Sequence, residues 1–467
     1  MLRNKSRLPF LILMATTTIL AFASTIFAEQ QPVVKPTYAK LCTYCHKAEA
    51  NTLMGFFDSI AFKAETIQMK VDDAVQLVRF DVDDVKVVTA AGKEMDGEAL
   101  HKTKKGQPIQ IIFTEKNGVK TAVKVVEKPP AKVASEMLIT TAQVEKLVGL
   151  GPDKGKYFLY DARPLFRFQE GAIPTAVSMP YNLFDKMTEL LPQDKNALII
   201  FYCAGINCYM SSGSAEKAKK LGYTNVKVYR DGIPAWSAKN YTVLSAEGLK
   251  AAWIDKDVPY LLLDVRSGKA ASRGFIKGAV SFPAAQVAKL IKKLPSAENN
   301  PPIVVYDAKG SKSEVQVAKA LLKSGYGNVK ILLGGFDGWK SAKFEAMTGK
   351  LASKASYVPK PNPGEINIEV FKGYATALPS NVFILDVRNP NEVKTGMLKT
   401  AVNIPMEDLQ DRMAEIPKDK LIITQCSTGV RAEMAYYTLK ELGFSNIKFL
   451  KANTKFEKDG TYSITKD

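Results

Sequence analysis

The sequence predicts an α/β fold repeated three times in tandem, behind a small β-rich module. Three observations carry this. A short apolar run closed by Asp-x-Arg occurs three times, and a Pro follows each Asp at an identical offset of 19 residues. A second apolar run then ends in Cys203, Asp307 or Cys426, which lie 42, 43 and 40 residues after the Asp. A chain of 467 residues has room for about three domains of roughly 150 residues each.

The first run is Tyr157 to Tyr160 before Asp161-Ala162-Arg163, the second Leu261 to Leu263 before Asp264-Val265-Arg266, the third Val382 to Leu385 before Asp386-Val387-Arg388. Each reads as a buried parallel strand ending in polar groups. The phrases Ala176-Val177-Ser178-Met179-Pro180, Ala279-Val280-Ser281-Phe282-Pro283 and Ala401-Val402-Asn403-Ile404-Pro405 follow. Second strands are expected at Ala197 to Tyr202, Ile303 to Tyr306 and Leu421 to Gln425. A helical pattern follows each and stops at Gly222, Gly325 or Gly443, where a C-cap favours a left-handed residue. A last strand such as Val226 to Tyr229 completes the unit. In such sheets ligands bind beyond the strand C-termini, where Cys203, Asp307 and Cys426 stand.

Composition is that of ordinary globular protein, 46% hydrophobic and 24% charged. The formal charge of +18 is spread along the chain, a general field favouring anionic small molecules, acidic proteins or an anionic membrane surface. No recognition element accompanies it, so nucleic acid is not an expected partner. Arg3, Lys5 and Arg7 followed by the apolar stretch Leu8 to Phe22 read as a signal peptide over residues 1–28, with cleavage near Ala23 or Ala28. The run is short for a spanning helix. An exported, periplasmic protein that is not integral to the membrane after cleavage is expected.

Asp-x-Arg, a Gly-x-x-x-x-Ala-(Val/Ile)-x-x-Pro phrase and a strand ending in Cys before a Gly-containing loop resemble the rhodanese family. The phrases Asp231-Gly232-Ile233-Pro234-Ala235-Trp236 and Gly334-Gly335-Phe336-Asp337-Gly338-Trp339 resemble its closing motif. The resemblance implies three tandem rhodanese-like domains, each a parallel sheet flanked by helices, over residues 138–245, 246–350 and 364–467. Linkers are expected at Pro129 to Ser135 and over residues 351–363.

The resemblance also implies chemistry, in which a thiolate takes sulfane sulfur and keeps it as a persulfide. Cys426-Ser427-Thr428-Gly429-Val430-Arg431 matches the Cys-x-x-Gly-x-Arg pattern. Cys426 is then the nucleophile and Arg431 the anion-binding residue, with Ser427, Thr428, Gly429 and Arg388 beside the substrate. A loop of N–H groups, a helix N-terminus and a cation would stabilise the thiolate. This copy lacks the Gly-Gly-x-x-x-Trp phrase and reads Lys451-Ala452-Asn453-Thr454 instead. Cys203 aligns with the nucleophile in the first copy, with Gly205 in its loop. That loop is longer, has no cation and carries Cys208, which would resolve a persulfide, pair with Cys203 in a disulfide, or stand as an extra thiol. Asp307 cannot carry sulfane sulfur, so the second copy is expected to be inactive.

The front module, residues 36–130, holds Cys42-Thr43-Tyr44-Cys45-His46. This is similar to the c-type haem attachment motif, which implies a covalent haem held by Cys42 and Cys45 with His46 on the iron. His101, the other histidine of the chain, is the candidate distal ligand, with Met54, Met69 and Met95 as rivals. A disulfide, or a metal bound through the cysteines, is the alternative. No metal beyond the haem iron is expected. Alternating runs such as Ile109 to Thr114 suggest a small barrel or sandwich.

Three functions follow as expectations. One is a sulfurtransferase moving sulfane sulfur from a small anionic donor (thiosulfate, polysulfide or a persulfide) to a thiol acceptor, coupled to haem if haem is present. The second is a docking protein for periplasmic electron-transfer partners. The third is oxyanion handling.

Overall fold

A computed structural model describes residues 35–44, 46–360, 362–457 and 461–466. The proposed signal peptide and Cys45 lie outside the described residues. Among the described residues no helix is long and apolar enough to cross a membrane.

The front module is a closed barrel. Its strands are β1 (Thr52–Ala61), β2 (Thr66–Val71), β3 (Ala74–Phe80), β4 (Lys86–Val88), β5 (Pro108–Lys116) and β6 (Val119–Glu127). The circuit β1-β2-β3-β6-β5-β1 closes through antiparallel pairs, with β3 and β6 meeting in parallel at Arg79↔Thr121 and Phe80↔Ala122. Alternate side chains point inward, so Ile67, Met69, Val78, Ile109, Ile111, Phe113 and Val125 fill the interior. The alternation in sequence therefore marks a barrel.

Each of the three repeats is a parallel sheet flanked by helices. The first contains β7 (Tyr157–Asp161), β8 (Leu198–Tyr202), helix α1 (Met210–Lys220) and β9 (Val226–Tyr229). The second contains β10 (Thr242–Leu244), β11 (Leu261–Asp264), β12 (Ile303–Tyr306), helix α2 (Lys312–Lys323) and β13 (Val329–Leu332). The third contains β14 (Val382–Asp386), β15 (Leu421–Gln425), helix α3 (Val430–Glu441) and β16 (Ile447–Phe449). In each the Asp-x-Arg strand pairs in parallel with the thiol- or Asp-ending strand, which pairs in turn with the last one. Both faces of these strands are covered, so they read as unbroken apolar runs. Each buried Ile, Leu or Val contributes about 1.5–3 kcal/mol.

The repeated motif has a structural cause. Arg163 binds Asp161 at 2.5 Å and donates to the Gly171 carbonyl at 2.7 Å. Arg266 repeats this with Asp264 and Gly274 at 2.5 and 2.7 Å. Arg388 does so with Asp386 and Gly396 at 2.6 and 2.9 Å. All three Asp side chains are fully buried, and an unpaired buried carboxylate is costly. The Arg neutralises the strand end and pins the Gly that opens the next phrase. Arg388, expected beside the substrate, gives its Nε and Nη2 to Asp386 and Gly396.

Two boundaries shift. β10 pairs with β13 inside the second sheet, so that domain begins by Thr242 and not at 246. Residues expected in the 351–363 linker pack onto the second domain, with Leu351 and Ala355 buried and Ala352 bridged to Val280. In the third domain the missing closing phrase is replaced by the hairpin Asn453–Phe456 with Tyr462–Thr465.

The barrel touches the first and third domains at their cysteine loops. Ala61 and Ala64 join the core around Cys426. Leu41 packs on the cluster of Cys203, Cys208 and Met210.

Candidate active-site loops

The third-domain loop hangs between the end of β15 and the start of α3, a helix of 12 residues. Cys426 is buried at 1% exposure. Gly429 caps α3 at φ +80°, and a Cβ there would approach Lys451 Cα at 3.0 Å. Only glycine suits both the left-handed backbone and the closeness. The replacement hairpin holds the loop, with Thr454 N–H donating to the Ser427 carbonyl at 2.8 Å. Thr428 is exposed at the loop tip.

Arg431 is the second residue of α3 and is mostly buried. It donates to both carboxylate oxygens of Glu392, at 2.6 and 2.8 Å, and to Asn389 Oδ1 at 2.8 Å. Burial opposes its charge, while the Glu392 bonds and a Cys426 thiolate hold that charge in place. Glu392 also meets Lys63 of the barrel at 3.2 Å. Its burial acts against ionisation, but bonds from Arg431, the Asn389 N–H and Lys63 win and hold it down at about 2. The loop thus has two cations, Arg431 and Lys63, set against the carboxylate of Glu392, with the charge of Glu407 also acting on Arg431. Sequence reasoning named Arg431 but missed Glu392, Asn389 and Lys63, which come from a loop 39 or more residues away and from another module.

The first-domain loop carries two thiols. Cys203 is fully buried, and its Sγ meets the Cys208 carbonyl at 3.2 Å and Ser211 Oγ at 3.1 Å. Burial pushes the Cys203 thiol up. Cys208 is half-buried. A hydrogen bond from Cys203 outweighs its burial, and with N–H groups of Ala204 and Met210 and the charge of Lys128 it brings Cys208 down to about 7. Both residues are thiols, so the plain disulfide is not what this structure holds. The loop itself has no cation, as expected, but Lys128 supplies one from the segment after β6. Gly205, at φ +119°, turns the chain and accepts from Cys208 N–H at 2.9 Å.

In the second domain Asp307 fills its own loop, accepting from Lys309 N–H at 3.0 Å and Gly310 N–H at 2.7 Å. Buried Glu314 lies beside it and rises to about 8, first through burial and then through Asp307. A fixed carboxylate therefore occupies the anion cradle, and no thiol is present.

The haem expectation meets a mixed fit. His46 is half-buried, its Nε2 is buried with no hydrogen-bond partner, and burial followed by Lys128 lowers its pKa. A neutral, unpartnered imidazole suits an axial ligand. His101, the candidate distal ligand, has neighbours of its own in the barrel. It stacks on Phe62 at 3.5 Å and 10° and pairs with Glu98 at 3.5 Å. Met54 and Met69 are committed to the barrel core.

The rhodanese-like domain family matches residues 141–239, 245–342 and 374–453, more than half of the chain. A sulfurtransferase of Allochromatium vinosum is 34% identical over 71 residues, which is 15% of this chain and 66% of that protein. A putative sulfurtransferase of Bacillus subtilis, YtwF, is 35% identical over 66 residues, 14% of this chain and 64% of that protein. The chain spans just under two thirds of these relatives. Among solved structures, a thiosulfate sulfurtransferase from Pseudomonas aeruginosa is 18% identical with a TM-score of 0.22, covering 70% of this chain and 69% of that one. With three matched domains in one chain, this protein belongs to the rhodanese-like domain family.

Proposed function

We propose that this protein is an exported sulfurtransferase that carries sulfane sulfur from a small anionic donor to a thiol acceptor as a cysteine persulfide. The Cys426 loop carries the reading: a buried thiol at a helix N-terminus, with Arg431 fixed beside it by Glu392 and Asn389. A Cys426 thiolate attacks the outer sulfur of thiosulfate, and sulfite leaves with the electron pair of the broken S–S bond. An acceptor thiolate then attacks the outer sulfur of the persulfide and frees the Cys426 thiolate. The step is redox-neutral. Arg431 and Lys63 offset the negative charge of donor and thiolate.

Cyanide-dependent thiocyanate formation from thiosulfate tests this directly. The wild-type chain should turn over, and Cys426→Ser should remove most of the activity. Unchanged turnover in Cys426→Ser assigns the activity elsewhere.

A second reading of the front module is carried by the unpartnered Nε2 of His46. Cys42 and Cys45 would hold a haem by thioethers, His46 would ligate its iron, and the group would supply one-electron transfer. A visible absorption spectrum of the exported, reduced protein decides it. Colourless protein rejects the haem.

A further inference from the structure

The barrel and the first domain meet over a cavity of about 450 Å³, a size that suits a small ligand. Leu41 and Phe56 of the barrel and Ile206, Met210 and Pro234 of the first domain wall it, with Cys208 on the first-domain side. Cys208 is half-buried there, whereas Cys203 is fully buried. The two thiols are in contact. Cys203 hydrogen-bonds to the Cys208 sulfur, and its Sγ also lies 3.2 Å from the Cys208 carbonyl. The Cys208 sulfur accepts from the N–H groups of Ala204 and Met210 as well, and the charge of Lys128 acts on it. Cys203 Sγ has its own partners, Ser211 Oγ at 3.1 Å and the Ser211 N–H, at the start of the 11-residue helix α1. The loop is fixed from outside. Asn207 Nδ2 donates to the Lys128 carbonyl at 2.6 Å and Ala131 N–H to the Ile206 carbonyl at 2.7 Å, so the expected linker after the barrel is stapled to the loop. This clamp holds Cys208 between the cavity and Cys203.

We propose that the first domain is a second sulfur site with a different outcome, in which Cys208 takes sulfane sulfur and Cys203 expels it as hydrosulfide, leaving a Cys203–Cys208 disulfide. This reverses the roles that the sequence pattern implies, since Cys203 stands at the nucleophile position. It shares a donor with the Cys426 reading but uses no atom of that site, whose loop has no second thiol. The Cys208 thiolate attacks the outer sulfur of thiosulfate, and sulfite leaves with the electron pair of the broken S–S bond. Cys203 then attacks the inner sulfur of the Cys208 persulfide, the atom that its thiol already touches. The bond to the outer sulfur breaks, and that sulfur leaves with the electron pair and the Cys203 proton. The two thiol sulfurs give up two electrons and the sulfane sulfur gains them, so the first turnover needs no other reductant. A dithiol reductant from outside the chain returns the disulfide to thiols. The two N–H groups and Lys128 favour the Cys208 thiolate for the first step. The Ser211 hydroxyl and N–H offset the charge that develops on Cys203 in the second.

The test mixes the reduced full chain with excess thiosulfate under anaerobic conditions and without added thiol. Released sulfide is trapped with monobromobimane, and the cysteines are alkylated and mapped by peptide mass. The wild type should form a Cys203–Cys208 disulfide and release sulfide in equal amount. Cys203→Ser should lose most of the sulfide and hold the extra sulfur on Cys208. Cys208→Ser should lose the sulfide with Cys203 left as an unmodified thiol. If a variant does not fold, the match of sulfide to disulfide in the wild type decides alone. No sulfide with both cysteines left as thiols overturns the proposal, as does sulfide undiminished in Cys203→Ser. Persulfide on Cys426 without the disulfide overturns this site and leaves the Cys426 reading standing. Disulfide and sulfide with Cys426 unmodified supports this site and overturns that reading.

Discussion

Arg431 gives two hydrogen bonds to Glu392, at 2.6 and 2.8 Å, and this pair orders the loop around Cys426. Glu392→Gln should lower stability near neutral pH by about 1–2 kcal/mol, since Arg431 loses its ionic partner in a mostly buried place. Glu392 is held at about 2, below its ordinary 4.5. A lowered carboxylate stabilises above its unfolded pKa and loses that contribution as pH falls through the folded one. The gap between variant and wild type should therefore close between about pH 4.5 and 2. Urea titrations across that range measure it. A gap independent of pH contradicts the pairing.

Arg388→Met should destabilise the third domain by about 3–5 kcal/mol, because fully buried Asp386 is left without its cation. A direct substrate contact would show instead as a raised KM in a protein of normal stability. Thermal unfolding beside steady-state kinetics separates the two.

Cys208 should be the first-domain thiol that iodoacetamide modifies, with a rate rising through about pH 7. Cys203 should lag far behind, being fully buried with its thiol pushed up. Peptide mapping after brief alkylation between pH 6 and 8 reads both. Equal modification of the two cysteines is the contrary result.

Glu314 is raised from 4.5 to about 8 by burial and by Asp307. A raised carboxylate binds its proton more tightly when folded, so stability declines as pH climbs from about 4.5 to 8 and is level above. Glu314→Gln removes that decline. Relative to wild type the variant should gain stability over this window, seen as a growing Tm difference. A constant difference refutes the assignment.

The three sheets were legible because both ends of the pattern are local. The Asp-x-Arg pair lies two residues apart, and the Gly it pins is eight residues on. What that Arg does was not legible, since a guanidinium beside a substrate loop and one neutralising a buried Asp look alike in sequence. Lys63, Glu392 and Lys128 were missed for a different reason. Each reaches its cysteine loop from another element, Lys63 from another module and Glu392 from 39 residues earlier in the same domain, and nothing local in the sequence encodes such contacts. The start of the second domain at Thr242 was hidden likewise, because three apolar residues after a loop carry no sign of which sheet they join.

The central claim is that Cys426 carries the sulfane sulfur. Incubating the full chain with thiosulfate, removing the donor and mapping persulfides by mass should find the extra sulfur on Cys426, and cyanide should discharge it as thiocyanate in equal amount. A Cys426 peptide that stays an unmodified thiol under donor excess, while thiocyanate still forms, would contradict the account.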